Sequence, residues 1–278
     1  MERSAINVIL GANANEGIGV TSVNEVKNFF PIFRPHGHTE VDTARVYGNR
    51  TTEEPLGEAD WQGAGITIET KLYPTAGKGM EISHKPADVR RGLMQSLKAL
   101  NADKFDTFYP TRPGPQHDGY FTRFGISNHQ SWEVAQICEI SRRNGWIMPT
   151  MYQGLYNALH RIVEAELVPC LQHYGIVAGV LHRGCYWNDA HFGALDLLRP
   201  VAAKHGIGEA EAALRWLARH SALSKDKGDA VIVGASSSMH LEENLVALEK
   251  GPLPDDDVVE ALNQGWELAR GLPLKDWH

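Results

Sequence analysis

The stretch FDTFYPTRPGPQHDGYFTRFGISN, residues 105–128, decides how the whole chain is read. Phe105–Tyr109 and Thr122–Asn128 each have the short apolar and aromatic pattern of a buried strand. Between them stand Pro110, Pro113, Gly114, Pro115 and Gly119, a composition that excludes a helix. A parallel crossover needs about a dozen residues, and Pro110–Phe121 just supplies them. The two strands are therefore expected to be joined by irregular chain.

Working outward, strand-like runs recur at INVILGA (6–12), TEVDTA (39–44), GITIETKL (65–72), PTMYQGL (149–155), GIVAGVL (175–181) and DAVIVGAS (229–236). With the two strands above, that makes eight. Helical spacing fills most of the gaps. Val89, Leu93, Leu97 and Leu100 recur at intervals of three to four in Pro86–Leu100. Similar patterns cover Trp132–Asn144, Glu164–His173, Glu209–His220 and Met239–Lys250, and Asp255–Arg270 adds a helix after the last strand. Strand–helix alternation of this kind predicts an α/β protein with a parallel sheet and outer helices. Eight units in one chain predict a (β/α)8 TIM barrel. An open doubly wound sheet would call for a GxGxxG turn, and GANANEGIG (Gly11–Gly19) is wrongly spaced for one. With no Ser-, Gly- or Pro-rich linker, residues 1–278 read as a single domain.

Of the 278 residues, 42% are hydrophobic and 22% charged, enough for a sizeable core. A net charge of −7 without a basic run argues against nucleic acid as partner. No apolar run approaches membrane-spanning length, and the N-terminus lacks a signal-peptide pattern. Three dispersed cysteines (Cys138, Cys170, Cys185) predict neither a disulfide framework nor a metal knuckle, and a reducing cytoplasm is expected.

In such barrels the reactive residues stand at the carboxyl ends of strands. Those ends carry Asp42 and Tyr47, Lys71, Thr111, Ser127 and Asn128, and Gln153. A tyrosine with a pKa near ~10 exchanges protons at neutral pH only if a cation lowers that value. A lysine held by an aspartate supplies the cation, so Asp42, Tyr47 and Lys71 can form one proton-transfer unit. The plainer alternative is a rim salt bridge beside a packed loop tyrosine.

The segments EVDTARVYG, ETKLYP, FGISN, PTMYQGLYN and GASSSMHLEENL resemble the aldo-keto reductases. SWEVAQIC, NGWIMPTMYQGLYNA and EAELVPCLQHYG are similar to the aflatoxin-aldehyde reductase branch and its fungal secondary-metabolism relatives. The resemblance implies NADPH-dependent reduction of an aldehyde or ketone, with a polyketide or aromatic natural product as substrate class. It also implies that Tyr47 protonates the carbonyl oxygen, and that Ser127, Asn128 and Gln153 hold the nicotinamide carboxamide. The adenosine phosphate falls to Ser236, Ser237 and their helix start, with His240 near the 2′-phosphate and Glu243 and Asn244 at the adenine.

Two departures stand out. Where the family reads roughly YLHAPD, this chain has Tyr109-Pro110-Thr111-Arg112-Pro113-Gly114, so Thr111 replaces the tetrad histidine and the following helix is missing. Where the family has a YNPLAGGLLTG-like run after strand seven, this chain passes from Leu181-His182-Arg183-Gly184-Cys185 to the next helix. Losing the stacking ring and the pyrophosphate loop implies weakened NADP(H) affinity. His117 and His182 are the nearest substitutes for the lost imidazole. The competing function is a non-redox isomerase, dehydratase or cyclase that reuses Asp42, Tyr47 and Lys71 without nicotinamide. A flank lacking its helix is also expected to bury apolar surface against a second subunit, as in a homo-oligomer, or against a displaced segment.

Overall fold

The computed structural model describes residues 4–12, 22–47, 52–73, 82–83, 85–110, 119–181 and 188–272. Eight strands close into a barrel in sequence order: β1 Asn7–Gly11, β2 Glu40–Asp42, β3 Thr67–Lys71, β4 Phe105–Tyr109, β5 Phe121–Ser127, β6 Pro149–Leu155, β7 Val177–Leu181 and β8 Ala230–Gly234. Every neighbouring pair is parallel, including β1 with β8. This is the (β/α)8 architecture that the alternation predicts.

Outside the strands lie α1 Val23–Phe33, α2 Glu53–Glu58, α3 Pro86–Ala99, α4 Ser131–Asn144, α5 Leu167–Tyr174, α6 Asp189–Lys204, α7 Glu209–Arg219, α8 Ser238–Glu249 and α9 Asp256–Ala269. Several start on a side chain that takes up an otherwise orphaned N–H: Ser22 for α1, Asn188 for α6, Ser237 for α8 and Asp255 for α9. The helix expected over Glu164–His173 begins later, at Leu167, because Ile162–Glu164 forms a 3-10 turn first. No helix among the described residues is long and apolar enough to cross a membrane.

The β4–β5 crossover occupies residues 110–120, and its centre, 111–118, lies outside the described residues. The expectation of irregular chain there falls on those residues. The flank is expected to bury apolar surface against a second subunit or a displaced segment, and the aromatics of its two strands are buried within the single chain. Phe105, Phe108, Phe121 and Phe124 are all buried and share one core with Leu93, Leu97 and Leu100 of the α3 region. The Arg90 guanidinium of α3 lies 5.7 Å above the Tyr120 ring at the entry to β5. The chain thus covers these aromatics itself.

At one point inside the barrel a glycine is required for space. A Cβ on Gly125 of β5 would lie 2.4 Å from the Tyr109 ring, where β5 also shifts register against β6. Gly125→Ala should therefore destabilise the fold by about 1–3 kcal/mol through overpacking. A Cβ on Gly193, inside α6, would meet only Leu268 at 3.8 Å among the described residues, and Gly193→Ala should stabilise by about 0.5–1 kcal/mol. Denaturant midpoints for the two variants should move in opposite directions.

Candidate active site

Strands β2, β3 and β6 bring Asp42, Lys71 and Gln153 together at the carboxyl end of the barrel. Lys71 Nζ donates to Asp42 Oδ1, and Gln153 Nε2 donates to the same oxygen at 3.0 Å. Since β2 and β6 are not neighbours in the barrel, the second bond crosses its interior. Asp42 and Gln153 are buried, while the Lys71 side chain keeps 12% exposure. Lys71 Nζ sits 5.2 Å from the centroid of the Tyr47 ring and 5.5 Å from that of Tyr109, within cation–π range.

Burial alone would push the Lys71 pKa down. The Asp42 carboxylate bonded to the lysine is the largest opposing influence, and the ammonium is held above its ordinary range. The lysine is therefore a permanent cation beside the phenol.

The loop carrying Tyr47 is braced from below. Arg45 Nη1 bonds Glu54 at 2.6 Å and lies 3.4 Å from Glu53, at the start of α2. Buried Glu53 accepts from Thr70 Oγ1 of β3 at 2.7 Å. The loop, α2 and β3 are thereby tied into one unit, and Tyr47 and Lys71 are held in common register.

Ser127 ends β5 opposite Gln153, and the Asn128 N–H bonds the Gln153 carbonyl at 3.0 Å. Asn128 takes φ +56°, a left-handed conformation that asparagine tolerates better than most residues. At the end of β8, Ser237 caps α8 by accepting the His240 N–H, and Ser236 Oγ meets His240 Nδ1 at 2.6 Å. Asn244 Nδ2 reaches back to the Gly234 carbonyl at 3.3 Å, and Glu243 is exposed on α8. Gly11 of β1 pairs with both Asp42 and Gly234, so the α8 start and the Asp42–Lys71 pair stand at the same end of the barrel.

A sequence model of the aldo/keto reductase family matches residues 7–264. The chain belongs to that family. An aldo-keto reductase of Pseudocercospora fijiensis is 43% identical, over 84% of this chain and 95% of its own length. The aldo-keto reductase pigE of Monascus ruber is 40% identical over 95% and 93% of the two chains. The aflatoxin B1 aldehyde reductase member 2 of Homo sapiens is 38% identical over 85% and 80%.

Aldo/keto reductases are NADP-dependent oxidoreductases acting on small molecules, and this membership supports NADPH-dependent carbonyl reduction. Of the residues singled out by sequence, this aldo/keto reductase brings Asp42, Tyr47, Lys71 and Gln153 into one cluster, with Ser127 and Asn128 beside it. Ser236, Ser237, His240 and Asn244 form a second group at the α8 start. Thr111, His117 and His182 lie outside the described residues.

The sequence reading passed over Glu69 and Tyr109. Tyr109 Oη donates to Glu69 Oε2 at 2.8 Å inside the barrel, with Lys71 Nζ 5.5 Å from the Tyr109 ring centroid. The signal was present, since Glu69 is two residues before Lys71 and strand side chains repeat their direction every second residue.

Proposed function

We propose that the protein is one catalytic domain that reduces an aromatic or polyketide-type aldehyde or ketone, with Tyr47 as general acid. The observation that carries this reading is the Lys71 ammonium, fixed to Asp42 and lying 5.2 Å from the Tyr47 ring centroid. A cation in that position favours the phenolate, which lets the phenol release its proton to a carbonyl oxygen as that oxygen gains charge. NADPH, when bound, supplies the hydride. The donor set suits it. The first turn of a helix suits a phosphate, and the α8 start would offer its backbone N–H groups with Ser236, Ser237 and His240 as side-chain partners. Glu243 and Asn244 would flank the adenine. Ser127, Asn128 and the side-chain Oε1 of Gln153 would meet the carboxamide, Gln153 Nε2 being already bonded to Asp42.

Weakened cofactor affinity is part of the proposal. The alignment with pigE runs over 318 positions, more than the 278 residues of this chain, so the relative carries segments without a counterpart here. Only residues 182–188 separate the end of β7 from the start of α6, leaving little chain to close over a pyrophosphate. Thr111 offers a hydroxyl where the family has an imidazole, and loss of one donor to a developing oxyanion costs roughly 10²–10³ in rate.

Titration with NADPH, followed by cofactor fluorescence, tests the reading. Saturable binding with a Kd below about 1 mM, together with aldehyde-dependent NADPH consumption, is expected. Absence of binding at that concentration would leave proton transfer without nicotinamide as the reading to pursue.

A further inference from the structure

The polar groups inside this barrel run deeper than the proposed proton-transfer unit uses. At the far end of the strands, Arg123 of β5 bonds Asp106 of β4 and reaches Glu40 of β2 at 3.3 Å, across the interior. At the carboxyl end, Lys71 is paired with Asp42. Between them, Glu69 is 2% exposed, and its Oε2 receives the Tyr109 hydroxyl. Its Oε1 has no hydrogen-bond partner among the described residues. Such an interior is normally filled by aliphatic side chains.

Counting charge decides the state of Glu69. The groups that face it are Asp42 and Glu40 from β2, Lys71 from its own strand and Tyr109 from β4. Arg123 is already bonded to Asp106 and Glu40, so among the described residues Lys71 is the nearby cation that Asp42 and Glu69 share. Two enclosed carboxylates sharing one cation cannot both stay ionised at low cost. Asp42 holds the lysine directly, together with the Gln153 amide.

We propose that Glu69, with Tyr109, is a positioning residue for Lys71: a neutral carboxylic acid that leaves the lysine charge to Asp42 and Tyr47. Enclosure and the Asp42 charge push the Glu69 carboxyl up to about 8, against the opposing pull of Lys71 and the Tyr109 hydroxyl. Burial and Glu69 push the Tyr109 phenol well above its ordinary range, so Tyr109 remains the donor. While the acid keeps its proton, Lys71 serves Asp42 and Tyr47 alone. Once alkaline pH ionises it, a second carboxylate competes for Lys71 and makes Tyr47 a weaker acid.

The test has one arm independent of turnover. Infrared spectra of the whole protein at pH 7 should contain the carbonyl band of a buried protonated carboxylic acid. Glu69→Gln should lack it, and Tyr109→Phe should move it to higher frequency, because the carbonyl loses its donor. The second arm rests on the carbonyl-reductase reading. Between pH 7 and 9, kcat/KM with NADPH and an aromatic aldehyde should fall about tenfold in the parent and less than about threefold in Glu69→Gln. Absence of the band in the parent, or superimposable pH profiles, would overturn the proposal. If neither protein consumed NADPH, the carbonyl-reductase reading would fail by itself, and the infrared band would still decide the state of Glu69. Should Glu69→Gln not fold, the band and its shift in Tyr109→Phe decide it.

Discussion

Tyr47→Phe should lower aldehyde-dependent NADPH turnover by roughly 10²–10⁴ while leaving the protein folded and able to bind cofactor. The substitution removes one oxygen and keeps the ring. The Lys71 ammonium, 5.2 Å from that ring centroid, retains its cation–π contact. Arg45 still ties the loop to Glu53 and Glu54. Stability should therefore change by less than about 1.5 kcal/mol, the worth of one ordinary hydrogen bond. Steady-state kinetics should place the loss in kcat, because the proton moves only as the carbonyl oxygen gains charge. A variant that kept a tenth or more of the parent turnover would assign the proton to another group. The non-redox reading also expects Tyr47→Phe to be inactive, so the assay must follow NADPH itself.

Lys71→Met should be damaging in two ways. Asp42 is buried and has Lys71 as its cationic partner. Removing one member of a buried ion pair costs about 3–5 kcal/mol, because the remaining charge is left uncompensated. Activity should fall at least as far as in Tyr47→Phe, since the phenol loses the cation that makes it a useful acid. The double variant Lys71→Met, Asp42→Asn separates the two effects. Neutralising both partners should recover most of the lost stability, while the Gln153 amide can still donate to the asparagine oxygen, and activity should stay lost. Urea midpoints of the single and double variants against the parent measure the recovery. An Asp42→Asn change that brought back no stability would show that Lys71 contributes by packing and not by charge.

The sequence by itself determined the eight strands, because each is a compact apolar run bounded by turn residues, and most helices, because their apolar residues recur on one face. It also placed Asp42, Tyr47 and Lys71 at strand ends, where a parallel barrel gathers its chemistry. Three helices, α1, α2 and α6, escaped the periodicity reading: α1 and α6 each carry an internal proline, Pro31 and Pro200, that argues locally against a helix, and α2 spans only six residues. Only the tertiary structure decided which side chains meet across the interior. The Gln153 amide on Asp42, Arg123 beside Glu40 and the Tyr109 hydroxyl on Glu69 join residues 111, 83 and 40 positions apart. The burial of Phe108 and Phe121, whose ring centroids lie 5.5 Å apart in the core, was likewise decided by packing. The physical reason is that periodicity reports the two faces of one element, whereas barrel closure brings distant strands to one axis. Whether a carboxylate such as Glu69 is a solvated side chain or an enclosed acid depends on that axis alone.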